Sequence, residues 1–112
     1  MKLANKHIFV TGGAKGIGAA IVQDAADEGA AVSFIDIDVS AGEKLAAQLN
    51  SSGKKVFFAK ANVANFEELK SAFNQAVSKF GEVTGVVNNA GVNSHADPVT
   101  MTDKEWDDFF AV

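Results

Sequence analysis

Residues 10–20 read VTGGAKGIGAA, so that four glycines and three alanines directly follow an apolar run. Glycine loses more conformational freedom on folding than any other residue, and a dense group of glycines therefore needs a structural or functional reason. The residues before it, 7–10, form a short apolar run typical of a buried strand, and residues 17–28 have apolar side chains at helical spacing. The glycines therefore lie in a turn between a strand and a helix.

The rest of the chain repeats this alternation of short apolar runs and longer helical patterns. Further strands are predicted at 31–36, 55–59 and 83–87, and helices at 40–50, 65–80 and from residue 102 onward. The pair Ser40 and Glu43 matches a capping box, which places the start of the second helix at Ser40. Uninterrupted apolar strands that alternate with helices predict a parallel sheet with helices on both faces. We expect one domain over residues 1–112: a doubly wound, Rossmann-like α/β fold of three layers, with strand order 3-2-1-4.

Composition excludes several classes of function. The 112 residues carry a net charge of -4 and no cysteine, which rules out disulfides and thiolate metal sites. The densest basic cluster is the pair Lys54 and Lys55, which argues against a nucleic-acid or anionic-membrane surface. No cluster of candidate metal ligands is present, and no segment resembles a signal peptide or a membrane span. A cytoplasmic protein that binds neither nucleic acid nor membrane is expected.

Ligands of doubly wound sheets bind at the carboxyl ends of the strands where the winding reverses, here between strands 1 and 4. Gly12 would permit a tight exit from strand 1, Gly16 a close approach of backbone to a pyrophosphate, and Gly18 close packing of helix on sheet. Asp36 ends strand 2, 18 residues after Gly18, near the spacing of an acid that hydrogen-bonds a ribose. The alternatives are a plain glycine-rich turn and an Asp36 that serves only as a turn or cap residue. A P-loop is excluded because no Gly-Lys-Ser or Gly-Lys-Thr follows the glycines.

Two motifs in the right order resemble the classical branch of the short-chain dehydrogenases/reductases. Residues 11–18, TGGAKGIG, match the family's TGxxxGxG, and residues 88–91 match its NNAG. The resemblance covers the whole chain but only the cofactor-binding first half of the family's fold. It implies a nicotinamide dinucleotide cofactor held by Gly12, Lys15, Gly16, Ile17, Gly18, Asp36, Asn62, Val63, Asn89, Ala90 and Gly91.

The resemblance favours NAD over NADP, because the Asp36 carboxylate would repel a 2′-phosphate and Ile37, not an arginine, follows it. Lys15 points the other way, since a basic residue before the middle glycine often accompanies NADP in the family. Asn62 stands where the family usually has an aspartate beside the adenine, and an amide can also hydrogen-bond a base edge.

The family's hydride transfer between nicotinamide and an alcohol or carbonyl requires a tyrosine, a lysine and a serine, and this chain has no tyrosine. We therefore expect no catalytic residue here, a truncated cofactor-binding half that is inactive alone, and His7 and His95 in no catalytic role. The alternative is a stand-alone dinucleotide-binding or structural half-domain. In either case the exposed edge of strand 4 predicts a homo-oligomer or association with a complementary C-terminal half.

Overall fold

The computed structural model describes residues 3–89, which form an open parallel sheet with helices on both faces. The strands are β1 (His7–Thr11), β2 (Ala31–Asp36), β3 (Lys55–Lys60) and β4 (Gly85–Asn88). The helices are α1 (Gly16–Asp27), α2 (Val39–Ser51) and α3 (Phe66–Phe80). The predicted last helix, Ala90 and Gly91 lie outside the described residues.

The sheet has the predicted order, β3-β2-β1-β4, and every pair is parallel. Thr11 at the end of β1 is level with Ile35 of β2 and with Asn88 of β4. Winding therefore reverses between β1 and β4, and the strands on either side of that point end at the same edge.

Alternate side chains of the strands fill two cores, one on each face of the sheet. Val10, Val32 and Phe34 face α1 and α2, where they pack with Val22 and Leu49. On the other face Phe9 and Ile35 pack against α3, and the rings of Phe9 and Phe73 meet edge to face at 5.4 Å. Because both faces are buried, the strands show the continuous apolar runs that predicted a parallel sheet.

The start of α2 differs from the prediction. Its N-cap is Asp38, whose Oδ1 accepts the backbone N–H of Ala41 at 3.0 Å, so Ser40 lies inside the first turn. The backbone N–H of Asp38 is itself fixed by Asp36, which places Asp38 where the helix begins. The N-cap of α3 is Asn65, whose side chain accepts the N–H of Glu68 at 3.1 Å, so α3 begins at Phe66, one residue after its predicted start.

The last strand is also displaced from its predicted range of 83–87, because β4 begins at Gly85 and includes Asn88. Thr84 precedes the strand but is still hydrogen-bonded to β1. Its backbone N–H donates to the carbonyl of His7, and its hydroxyl accepts the N–H of His7, each at 2.8 Å. Across the described part of the chain, none of the three helices is long and apolar enough to cross a bilayer.

Candidate functional site

The glycine turn after β1 is tied to the end of β2. The backbone N–H groups of Gly12 and Gly13 both donate to the carbonyl of Ile35, at 2.8 and 3.1 Å. Gly12 has φ +66° and Gly16 has φ +59°, in the left-handed region that side chains with a Cβ rarely adopt. Glycine at these two positions therefore lets the chain leave β1, turn over the end of the sheet and enter α1 without the backbone strain that a Cβ would add.

Gly18 brings α1 into direct contact with that turn. A Cβ at this position would overlap the carbonyl oxygen of Gly12 and lie 2.7 Å from Nδ2 of Asn89. The predicted function of Gly18, close packing of the helix on the sheet, is thus what the contacts show.

A hydrogen-bond network joins the ends of β1 and β4. The buried hydroxyl of Thr11 donates to Oδ1 of Asn88 at 2.8 Å and accepts the N–H of Asn89 at 3.0 Å. The side-chain amide of Asn89 donates to the carbonyl of Gly12, also at 3.0 Å. The two motif-bearing loops are therefore held together at one edge of the sheet, as the sequence predicted.

The N-terminus of α1 opens at the same edge and lacks a side-chain cap. Its N-cap residue, Lys15, makes no capping hydrogen bond, whereas Asp38 and Asn65 cap α2 and α3. The first N–H groups of a helix have no partner within the helix, and they carry its positive dipole end. The start of α1 is suited to an anion such as a phosphate.

Asp36 lies beside the glycine turn with both carboxylate oxygens fixed. Oδ2 accepts the N–H of Ala14 at 3.1 Å, and Oδ1 accepts the N–H of Asp38 at 2.9 Å. A carboxylate has about four acceptor positions, so each oxygen keeps room for one more donor. The side chain is half-buried and already oriented, and it can accept hydrogen bonds from two neighbouring hydroxyls.

Lys15 and Asp38 form an ion pair across this edge, with 3.2 Å between Nζ and Oδ2. The pKa of the Asp38 carboxyl lies below its usual value, chiefly because it accepts the backbone N–H of Ala41, and also because of Lys15. Asp38 was missed as a site residue by the sequence analysis. Its position two residues after Asp36, directly before a helical pattern, was the available signal.

The loop after β3 lies next to Asp36, because the N–H of Ala61 donates to the Asp36 carbonyl at 3.3 Å. Asn62 is exposed, and its Oδ1 accepts the N–H of Ala64 at 2.9 Å. Val63 packs against the core beneath α3. Asn62 therefore shapes its own turn, and the hydrogen bond of Ala61 holds the loop beside Asp36.

Gly13 is a second residue whose role the sequence did not reveal. A Cβ there would lie 2.7 Å from Cβ of Phe34, a fully buried side chain of β2. Because Gly13 has no Cβ, the turn packs directly against the side chain of Phe34. Residues 3–89 contain no group of three or more side chains that could hold a metal ion.

A model of the short chain dehydrogenase family matches residues 6–112. The chain belongs to this family. Short-chain dehydrogenases are oxidoreductases, and the described residues form their dinucleotide-binding, Rossmann-type part.

Curated proteins and solved structures align with nearly the whole chain. A probable galactose dehydrogenase of Rhizobium meliloti is 37% identical over 98% of this chain and 43% of its own length. A 3-oxoacyl-(acyl-carrier-protein) reductase of Staphylococcus epidermidis is 37% identical over 93% of this chain and 43% of its own length. The structure of a short-chain dehydrogenase/reductase from Serratia marcescens aligns with a TM-score of 0.79 and 40% identity, covering 100% of this chain and 46% of that one.

A further similar solved structure contains a cofactor. A blue fluorescent protein from a metagenomic library, in complex with NADPH, aligns with a TM-score of 0.79 and 32% identity over 95% of this chain and 44% of that one. The chain therefore spans less than half the length of these relatives.

Proposed function

We propose that this chain binds NAD(H) as the cofactor-binding part of a short-chain dehydrogenase that transfers hydride between nicotinamide and an alcohol or carbonyl substrate. The observation that carries the proposal is the Asp36 carboxylate, which is oriented by two backbone N–H groups beside the glycine turn. The bound cofactor would supply the hydride chemistry. Because the chain contains no tyrosine, we assign no catalytic role to any of its residues.

The pyrophosphate of the dinucleotide would lie over the uncapped start of α1. Gly12 and Gly16 leave the approach free of side chains, and the N–H groups of the first turn would donate to the phosphate oxygens. Ile17, which is 67% exposed at this point, would cover the apolar side of the bound cofactor. This arrangement explains why a large apolar side chain is left exposed beside the glycines.

The adenosine ribose would donate its hydroxyls to Asp36. Both oxygens have spare acceptor capacity, whereas a 2′-phosphate would bring negative charge against the carboxylate. Asp36 therefore favours NAD over NADP. Asn62 and Val63, on the adjoining loop, would lie at the adenine end.

The loop after β4 would border the middle of the cofactor. Asn89 is held by Gly12 and by Thr11, so it sits between the glycine turn and the end of β4. Ala90 and Gly91 are assigned to the same stretch by the family motif alone. Asn88 would act structurally, through its bond to Thr11.

Two broader features belong to the same proposal. The outer edge of β4 has no neighbouring strand among residues 3–89, and we propose that another copy or a complementary segment pairs there. Sedimentation of the chain as a monomer at all concentrations would contradict this. We also propose a cytoplasmic location.

Titration with NADH, followed by cofactor fluorescence, tests the proposal in wild type, Asp36→Asn and Asp24→Asn. Asp24 is an exposed carboxylate on α1 and serves as the matched control. Hydrogen bonds to a charged group contribute about 1.5–3 kcal/mol, so Asp36→Asn should weaken NADH binding by about ten- to a hundredfold. Asp24→Asn should bind as wild type does.

Selectivity provides the second readout. NADPH should compete poorly in wild type and relatively better in Asp36→Asn, because the repelling charge is gone. Cooperative unfolding of each protein would show that it is folded. A folded wild-type chain without saturable NADH binding would contradict the proposed function and favour a structural half-domain.

A further inference from the structure

The ion pair of Lys15 and Asp38 lies at the place where a dinucleotide would end in its adenosine ribose. Lys15 directly follows Ala14, whose N–H holds one oxygen of Asp36, and the N–H of Asp38 holds the other. Lys15 and Asp38 therefore flank the Asp36 carboxylate from two different loops, and their charged ends meet at 3.2 Å.

Asp38 is fixed in this position by bonds that do not involve Lys15. Its Oδ1 accepts the N–H of Ala41 as the cap of α2, and its backbone is held by Asp36. Its Oδ2 is thus presented toward Lys15 by the start of the helix. Lys15 is the more exposed partner, with a side chain 67% exposed against 34% for Asp38.

We propose that Asp38 is a specificity-determining residue, which disfavours NADP by engaging Lys15, a cation beside Asp36 that could neutralise a 2′-phosphate. This inference rests on the proposed dinucleotide site. A phosphate monoester carries nearly two negative charges at neutral pH, and it would need a positive side chain to offset Asp36. Lys15 could supply that charge, but it is paired with Asp38, which also adds a second negative charge to the same edge.

The pair explains how a basic residue in the glycine turn is compatible with NAD. A lone Lys15 would attract a 2′-phosphate, whereas a paired Lys15 contributes little net charge. Ribose hydroxyls need no cation, so the ion pair of Lys15 and Asp38 has a smaller effect on the binding of NAD. Asp38 acts here through Lys15 and is a positioning residue.

Asp38→Asn tests the inference, because asparagine caps a helix about as well as aspartate but carries no charge. The measured quantity is the ratio of NADPH affinity to NADH affinity, from competitive fluorescence titration. Exposed ion pairs are weak, so we expect this ratio to rise by about fivefold at low ionic strength and by less at high salt. Glu43→Gln removes an exposed carboxylate farther along α2 and should leave the ratio unchanged.

The Lys15→Met variant shows whether Asp38→Asn changes the affinity ratio by releasing Lys15 or only by removing a negative charge. In the Lys15→Met background, Asp38→Asn should raise the ratio much less than it does when Lys15 is present. An equal rise in both backgrounds would overturn the inference, because Asp38 would then act by its own charge alone. An unchanged ratio in Asp38→Asn would overturn it as well.

These failures differ from failure of the proposed function. Wild type could bind NADH, and Asp36→Asn could weaken that binding, while Asp38→Asn keeps the wild-type affinity ratio. In that case only the role of Asp38 is refuted. If folded wild type binds neither dinucleotide, the proposed function fails and the role of Asp38 fails with it.

Discussion

Gly18 of α1 lies against the carbonyl oxygen of Gly12, with no room for a Cβ between the helix and the turn. The same carbonyl accepts a hydrogen bond from the side chain of Asn89. One backbone oxygen thus joins the first helix, the glycine turn and the loop after β4. The carboxyl edge of the sheet is preorganised by this contact before any ligand binds.

Gly18→Ala should therefore destabilise the protein more than Gly16→Ala. Gly18→Ala places a methyl group against backbone that cannot easily move aside, and it should lower the unfolding free energy by about 1–3 kcal/mol or more. Gly16→Ala meets open space and should lose only about 1 kcal/mol, because its φ is +59°. Urea unfolding of both variants measures the difference, and equal losses would show that the helix does not pack as described.

Thr11→Val should also destabilise, although valine has nearly the same shape. It removes the hydroxyl that donates to Asn88 and accepts from Asn89, so that both hydrogen bonds between the ends of β1 and β4 are lost. The expected loss is about 1–3 kcal/mol of unfolding free energy, measured in urea. Thr11→Ser keeps the hydroxyl and is the control, so a serine variant as unstable as the valine variant would argue against the network.

The buried side chain of His7, at the amino end of β1, leads us to predict that the stability of the fold depends on pH. The ring is 2% exposed, its Nδ1 donates to the carbonyl of Gly81 at 2.9 Å, and its Nε2 accepts the hydroxyl of Ser33 at 2.8 Å. Burial lowers the pKa of His7 from 6.5, and the bond to Gly81 offsets this only in part. The folded chain therefore holds His7 neutral where the unfolded chain already takes up a proton.

Stability should accordingly be constant well above pH 6.5 and fall as the pH drops below it. Because one proton is taken up, the free energy of unfolding can fall by at most about 1.4 kcal/mol per pH unit. Urea unfolding between about pH 8 and pH 5 measures it, with His7→Gln and His95→Gln compared. The decline should shrink in His7→Gln and persist in His95→Gln, and the reverse would place the responsible group elsewhere.

The strand order and the meeting of the two motif loops could be predicted from the sequence because both follow from local patterns. Apolar runs locate the strands, and right-handed crossovers then leave few possible orders. Asp36 was found for the same reason, since it ends a strand at a recognisable distance from the glycines. The start of α3 was predicted to within one residue, because the hydrogen bonds between its cap Asn65 and Glu68 are local.

Asp38 could not be ranked above Ser40 in the same way. Both are good caps, and the choice depends on one hydrogen bond with Asp36 and on an ion pair with Lys15, which is distant in sequence. Gly42 is a similar case: a Cβ there would overlap the ring of Phe58 on the neighbouring strand. Contacts of this kind depend on tertiary packing that no local pattern encodes.

Backbone amide NMR during titration with NADH would show whether the dinucleotide binds at the glycine turn and Asp36, because it locates the ligand on the sheet. We predict saturable shifts concentrated in residues 12–18 and 36–38, where the pyrophosphate and ribose would lie. His7 and Lys54, which line a cavity at the amino ends of the strands, should be unaffected. Saturable shifts around that cavity with none in the glycine turn would contradict the account.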